Sequence, residues 1–521
     1  MTGVQTCALP ISTAISIAVF ASVSPFAQPS TPEFISLVLT LTFLTGLFQL
    51  ILGLARMGVL VNFISHTVVI GFTAGAAMLI AGSQIKNFFG LPIPRGTPFF
   101  KTLEVFAEQI TQINPYVTAV AVITLLVGIG VKRWFPRFPY MIAAMIVGSV
   151  IAAVLNQMFG AETTGIHTVG ALPAGLPPLS SPDFSFHGLR TMLFPALIIT
   201  MLALTEAVSI SRAIASRSGQ HIDGNQEFIG QGLSNLVGSF FSGYAASGSF
   251  NRSGVNYAAG ARTPMAAVYA SLFLVVILLL VAPLAAYLPN AAMAGILFLV
   301  AWGLIDTHHI AMLPRISRPE TVVLWVTLIG TLVDLEKGIF FGIALSLALY
   351  LYRVSRPMVQ PVLPDPNPES DHFLPVEGQP ECPQIRFVRF NGSIFFGAVA
   401  HMQQQLQALE ESEPQVKHLV IVATGMNFVD LAGAEFLAEQ ARHWRKKGGG
   451  LYFYRMTEAV AAVLSKGGFM EDIREYNLFP VGVRPGDVIA ERLDKSICET
   501  CSKPVFKHCL AGGAIPKLSG S

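Results

Sequence analysis

Two ionisable residues sit where lipid-facing sequence should exclude them. Glu206 lies inside the apolar run PALIITMLALTEAVSISRA and is the only acid between Phe186 and Asp223. Arg252 lies in YAASGSFNRSGVN (Tyr244–Asn256), a Gly/Ser-rich break between apolar segments. An arginine at membrane depth costs roughly 2.5–3.5 kcal/mol on insertion scales, so it requires a partner or a task. A helix interrupted inside a bilayer points free N–H groups and the positive end of its dipole into the gap. Gaps of that kind hold anions, and the break is read as half of an anion site. Burial should raise the Glu206 pKa while a nearby cation lowers it, which suits the carboxylate to carrying a proton or pairing during transport. The alternative for Glu206 is a packing residue that is always paired or always protonated. Ser209 lies one turn further along the helix, where it can bond a ligand or its own backbone.

These residues need a membrane around them, and the composition supplies one. The 521 residues are 52% hydrophobic and 12% charged, with a mean hydropathy of +0.59; a soluble domain carries about twice that charged fraction. The net charge of +2 points to no partner, and no basic patch is interleaved with aromatics, which argues against nucleic acid. The first twelve residues, MTGVQTCALPIS, resemble translated sequencing adapter and lack the pattern of a signal peptide. Residues 1–12 are therefore set aside as an artefact, Cys7 with them, and the natural sequence is expected to begin near Thr13.

Apolar stretches near the ~20 residues that cross a bilayer as a helix are expected at 34–55, 60–88, 115–131, 139–156, 189–212 and 228–243. A short segment at 252–263 follows, then spans at 265–288, 290–305, 320–334 and 338–352, with a remnant at 13–27 ahead of them all. Arg56, Lys132, Arg133, Arg137, Arg212, Arg217, Arg262, Arg315, Arg318 and Arg353 fall on one side. The opposite loop from Asn156 to Gly188 holds no Lys or Arg, so the Arg-rich side is the cytoplasmic one. Arg95 and Lys101 break the pattern. In the span that opens DGNQEFIGQGLSNLVG, Asp223 or Asn225 can cap the helix, and Gln231 and Asn235 share a face as polar glue between helices.

The stretches VNFISHTVVIGFTAGAAMLIA, ALTEAVSISRAIA, NQEFIGQGLSNLVGSFFSGY and ASGSFNRSGVNYAAGARTP resemble the signature blocks of the SulP anion permeases, the sulfate permease family. The likeness runs from about Thr13 to Leu493. It implies a multi-span α-helical membrane protein with inverted repeats and a core and gate domain, like the uracil permeases, followed by a small cytoplasmic α/β STAS domain. It implies a substrate site between two facing half-helices, the third and tenth family segments, with Gly248, Ser249 and Phe250 as the lip of the tenth and Arg252 as its charge. Glu206 matches the acidic position of the eighth segment, which the family links with coupling. The first two family segments are absent, and Thr13–Ser16 resembles the surviving end of the third, so half of the substrate site is expected to be missing.

Residues 13–353 are accordingly assigned to the transporter, 354–384 to a Pro-rich linker, 385–493 to the STAS domain and 494–521 to a Cys-containing tail. In the STAS part QIRFVRF, SIFFGA, VKHLVIVAT and LYFYRM read as strands, and FVDLAGAEFLAEQARHWRKK opens a helix with Asp430 near its cap. Signalling relatives carry a phosphorylated Ser two residues after that Asp; here the position is Ala432. In the tail, Cys498, Cys501 and Cys509 with His508 have spacing that zinc or an iron–sulfur centre could use, and surface thiols are the equal alternative. No cofactor is expected.

The function expected is secondary active transport of a small inorganic or carboxylate anion across the inner cell membrane, sulfate first, bicarbonate or a dicarboxylate second. Ile210 one turn beyond Glu206, and Phe250 at the lip, offer no oxygen to a sodium ion, so a proton is the favoured partner over sodium. An elevator-like movement and a homodimer are implied by the family. A membrane-anchored STAS regulatory module and a nonfunctional fragment are the alternatives. An anchor, however, has no use for a buried Glu and Arg in a broken helix.

Overall fold

The computed structural model describes residues 13–29, 31–58, 65–94, 97–135, 138–170, 176–219, 222–248, 253, 256–257, 260–285, 287–365, 372–376, 381–501, 505–506 and 509. Two compact units, Met1–Leu347 and Ala348–Ser521, divide the chain.

In the helical part of the chain, whose last helix crosses the boundary at Leu347, the helices start and stop where local chemistry directs. The main ones are α1 (Thr13–Val23), α2 (Pro32–Leu54), α3 (His66–Phe89), α4 (Phe99–Glu108), α5 (Pro115–Trp134), α6 (Tyr140–Phe159), α7 (Phe186–Ser218), α8 (Gly224–Gly238), α9 (Met265–Ala285), α10 (Asn290–Leu304), α11 (Thr307–Ile316), α12 (Arg318–Val333) and α13 (Leu335–Val354). The Thr31 hydroxyl accepts from the Phe34 amide ahead of Pro32 at the first helical position of α2. Ser65 caps α3, and Gly90 at φ +70 closes it in the left-handed conformation that lets the last carbonyls be satisfied. Asn114 accepts from the Tyr116 and Val117 amides to start α5. Seven of the described helical stretches are long and apolar enough to cross a membrane. The stretch read as 60–88 starts its helix at His66, and that read as 228–243 is helical only over Gly224–Gly238.

Small residues let these helices touch at the backbone. A Cβ on Gly46 of α2 would lie 2.5 Å from the Leu236 nitrogen of α8, and one on Gly232 would lie 2.5 Å from the Leu50 nitrogen. Gly71 and Gly75 of α3 meet α12 in the same way, against the Leu324 carbonyl and the Thr331 side chain. Lipid gives apolar side chains no reason to prefer protein, so close backbone packing and shared hydrogen bonds hold such helices together. The Gln49 carbonyl oxygen accepts from the Asn235 side-chain amide at 2.9 Å across the α2–α8 seam, both residues fully buried.

The second unit is built on a six-stranded sheet ordered β2-β1-β3-β4-β5-β6: β1 Met358–Pro364, β2 Phe373–Pro375, β3 Ile385–Asn391, β4 His418–Gly425, β5 Gly450–Tyr454 and β6 Leu478–Phe479. Strands β3 to β6 run parallel, and β1 is antiparallel to both β2 and β3. Successive β3 residues alternate faces: Val388 and Phe390 pack under α14 (Phe396–Ser412), α15 (Leu431–Lys446) and α16 (Glu458–Lys466). Phe387 faces the opposite core with Val420, Tyr452 and Tyr454. Burial on both faces is why β4 reads as a continuous apolar run.

Three readings of this part are corrected. The stretch 354–384 is not simply a linker, because β1 and β2 lie within it. Pro361 lies where β1 pairs with β3 alone, ahead of the Val362–Pro364 pairing with β2, and an edge position of that kind tolerates a residue without an N–H. SIFFGA is not a strand either: Ile394 makes a single bridge to Val429, and Phe396 already opens α14. Third, the tail is not wholly separate from the domain, since Phe506 is buried in the second core and Cys498 and Cys509 pack against it.

Candidate functional site

The site is assembled where α8 ends and the chain re-enters the membrane unit without helical structure. Asp223 starts α8 by accepting from the Asn225 amide. At the other end Ser242 adopts φ +56, and its amide donates to the Ser180 hydroxyl at 2.8 Å. Its own hydroxyl donates to the Pro178 carbonyl, so the Pro178–Ser180 loop fastens this turn. Residues 243–248 then run as irregular backbone with Ala245, Ser247 and Gly248 buried. Non-helical backbone at membrane depth survives only where protein groups satisfy it.

Asn235 provides that satisfaction. Its Nδ2 donates to the Ala246 carbonyl at 3.0 Å, and its Oδ1 accepts from the Ala246 amide at 2.8 Å. One side-chain amide thus copies the pairing a neighbouring strand would offer, while its second donor bond reaches Gln49. Asn235 is helix glue as read from the sequence, and it also holds the break. Ser247 donates to the Ala203 carbonyl of α7 at 2.7 Å, with both groups buried. Tyr244 pairs its hydroxyl with that of Ser16 on α1 at 3.0 Å.

Glu206 is three residues beyond Ala203 on α7, one helical turn from the point where Ser247 docks. It is partly buried and lines a cavity of about 20 Å³ together with Val68, Phe72 and Thr73 of α3, Thr205 and Ile339. That volume admits about one water molecule. The two threonine hydroxyls in the lining donate to backbone carbonyls, Thr205 to Met201 at 2.6 Å and Thr73 to Val69 at 2.9 Å. The other lining groups are apolar.

Of the residues singled out in the sequence, the structure therefore gathers Glu206 and Gly248 through Ala203 and Ser247. Ser249, Phe250 and Arg252 lie outside the described residues, as does the side chain of Ser209. Ser253 is fully buried. Ser247 and Tyr244 are additions: nothing in their local pattern marks them, because their partners are 44 and 228 positions away.

In the α/β unit Asp430 caps α15, accepting from the Gly433 amide at 2.8 Å, and its second oxygen accepts from Phe396 at the start of α14. Both oxygens are engaged in holding two helix starts, which supports the capping reading. Cys382 belongs to the second core, with Cys498 and Cys509 packed against it. Burial raises the Cys382 and Cys498 pKa values, so both stay protonated. Among the described residues no group of three or more His, Cys, Asp or Glu is placed to hold a metal; His508 lies outside them.

Residues 1–327 match the family model described as the sulfate permease family, and residues 375–481 match the STAS domain. A putative sulfate transporter, YvdB, of Bacillus subtilis is 28% identical over 442 residues, covering 84% of this chain and 81% of its own. Sulfate transporter 1.1 of Arabidopsis thaliana is 28% identical over 495 residues, covering 90% and 75%. Among solved structures, the murine Solute Carrier 26 family member A9 anion transporter superimposes with a TM-score of 0.82 at 21% identity, covering 93% of this chain and 83% of that one. The transmembrane domain of a cyanobacterium bicarbonate transporter, BicA, gives 0.54 at 25% identity, covering 65% and 82%.

Proposed function

The chain belongs to the sulfate permease family, and from that premise we propose that it takes up sulfate together with a proton, Glu206 being the proton carrier. Anion transport and a multi-pass place in the membrane come with the family; the protein is a transporter, not an enzyme. The choice of sulfate follows the relatives, which are named as sulfate transporters.

The observation that carries the coupling reading is the position of Glu206. A carboxylate in an apolar cavity with room for one water, one turn from the anchored break, changes its proton affinity when an anion or a cation approaches. A sodium ion would ask for several oxygen ligands, and the described lining offers only Thr73 and Thr205 besides the carboxylate. A proton needs none of them. The anion is assigned to the gap opened by the break, with Gly248, Ser249 and Phe250 as its lip and Arg252 as its countercharge. Ser209 is assigned to the same site. Movement of the site across the bilayer is elevator-like, in a homodimer.

Arg252→Ala tests the anion assignment. Sulfate uptake by that variant should fall at least about tenfold, the loss expected for one charge-assisted contact; sulfate uptake with an unchanged KM removes the assignment. Bicarbonate is the second reading, favoured by the likeness to the BicA membrane domain. Competition between the two anions in the same uptake assay separates them.

A further inference from the structure

The α/β unit contains a second electropositive site, and we propose that it binds an organic anion carrying a phosphate or sulfate ester on a planar ring. The site is a groove of about 570 Å³ whose lining includes His418, Arg445, Tyr452, Arg474, Tyr476 and Arg492. It opens where β4 and β5 begin, beside the Gly448–Gly450 turn that follows α15. Asp430 caps the opposite end of α15, so the groove is separate from the loop where signalling relatives carry their phosphorylated serine.

Three guanidinium groups share this groove, and its lining contains no carboxylate. Their hydrogen-bond partners are neutral: Arg445 donates to the Asp472 carbonyl, Arg474 to the Tyr476 hydroxyl, and Arg492 to the Tyr452 hydroxyl and Asn477 Oδ1 at 3.4 and 3.3 Å. Among the described residues, the carboxylate of Asp472 is taken by Arg442, not by any of the three. His418 adds no charge: burial, with Arg492 and Lys417 nearby, lowers its pKa to about 4. One cation in the last turn of α15 is accounted for by the negative end of the helix dipole. The other two, both exposed, remain as like charges in one depression, a repulsive arrangement that a bound anion relieves.

The shape narrows the ligand. A bare sulfate or phosphate fills a small part of 570 Å³, which is the size of a ligand pocket and not of an ion site. Two tyrosine rings stand beside the cations, with the Arg492 guanidinium 5.1 Å from the Tyr476 ring and 5.6 Å from that of Tyr452. Arg474 lies 5.7 Å from Tyr476 on its own account. Guanidinium forks match ester oxygens in pairs, and the exposed Tyr476 ring and the guanidinium planes accept a flat ring by stacking.

The test is calorimetric titration of the full chain in detergent with adenosine monophosphate, phenyl sulfate, inorganic phosphate and adenosine. Adenosine monophosphate or phenyl sulfate should bind, and whichever binds identifies the ester. Arg474→Gln and Arg492→Gln should each weaken that binding about tenfold, the loss of one charge-assisted contact, with the melting curve unmoved. Inorganic phosphate should bind more weakly, and adenosine not detectably. Failure of both esters to bind at millimolar concentration overturns the proposal, as does binding that both variants leave intact. Inorganic phosphate binding as tightly as the esters overturns the assignment of a ring. None of these results depends on which anion the membrane unit carries.

Discussion

At the scale of single residues, polar side chains that are expensive to bury are held in place by specific hydrogen bonds. Asn235 is the sharpest case, with three hydrogen bonds that tie α2, α8 and the irregular stretch to one amide. Asn235→Ala removes the partner of the part-buried Ala246 N–H and C=O, costing about 1 kcal/mol for each group. Sulfate uptake per molecule in the membrane should fall several-fold while expression persists. Asn235→Asp, which can still accept from the Ala246 amide, should fall less. His418 gives a prediction of another kind. Its pKa is lowered to about 4 in the folded protein against 6.5 unfolded, because it is buried beside Arg492 and Lys417. The unfolded chain therefore binds more protons between these values. The stability this neutral histidine contributes is complete above pH 6.5 and lost as pH falls toward 4, by roughly 3 kcal/mol in full. Urea midpoints followed through Trp444, with Trp134, Trp302 and Trp325 replaced by Phe, should show this acid limb, and His418→Gln should flatten it.

At the scale of elements, the spans were legible because a bilayer demands about 20 apolar residues and punishes charge. Helix starts were less so: Pro32, Ser65 and Asn114 mark helix beginnings, yet the stretch read from 60 begins its helix only at His66. Glu206 stood out in the sequence because a lone acid in an apolar run breaks the pattern. Ser247 and Tyr244 did not, since an ordinary Ser or Tyr acquires meaning only from Ala203 and Ser16 beside it. Strands β1 and β2 were hidden by prolines, which read as linker until the free edge of β1 explains Pro361. The seam between α2 and α8 carries the next prediction. A side chain at Gly232 would push against the Leu50 backbone, which cannot swing aside as a flexible side chain can. Gly232→Val should lower the melting temperature in detergent and cost about 1–3 kcal/mol or more, as overpacking does; Gly230→Ala, where a Cβ meets nothing within 4 Å, should leave it unchanged.

At the scale of the molecule, a helical membrane unit and an α/β unit each carry their own core. The membrane unit joins a partly buried carboxylate to a break in helical structure through Ser247 and Ala203. We propose that proton and anion move through it together and that Glu206 couples them. The direct measurement is radiolabelled sulfate uptake into proteoliposomes with and without an imposed inward proton gradient, wild type against Glu206→Gln. The gradient should stimulate uptake by the wild type, and the variant should show no stimulation. Equal stimulation in the variant, or none in the wild type, would contradict the account.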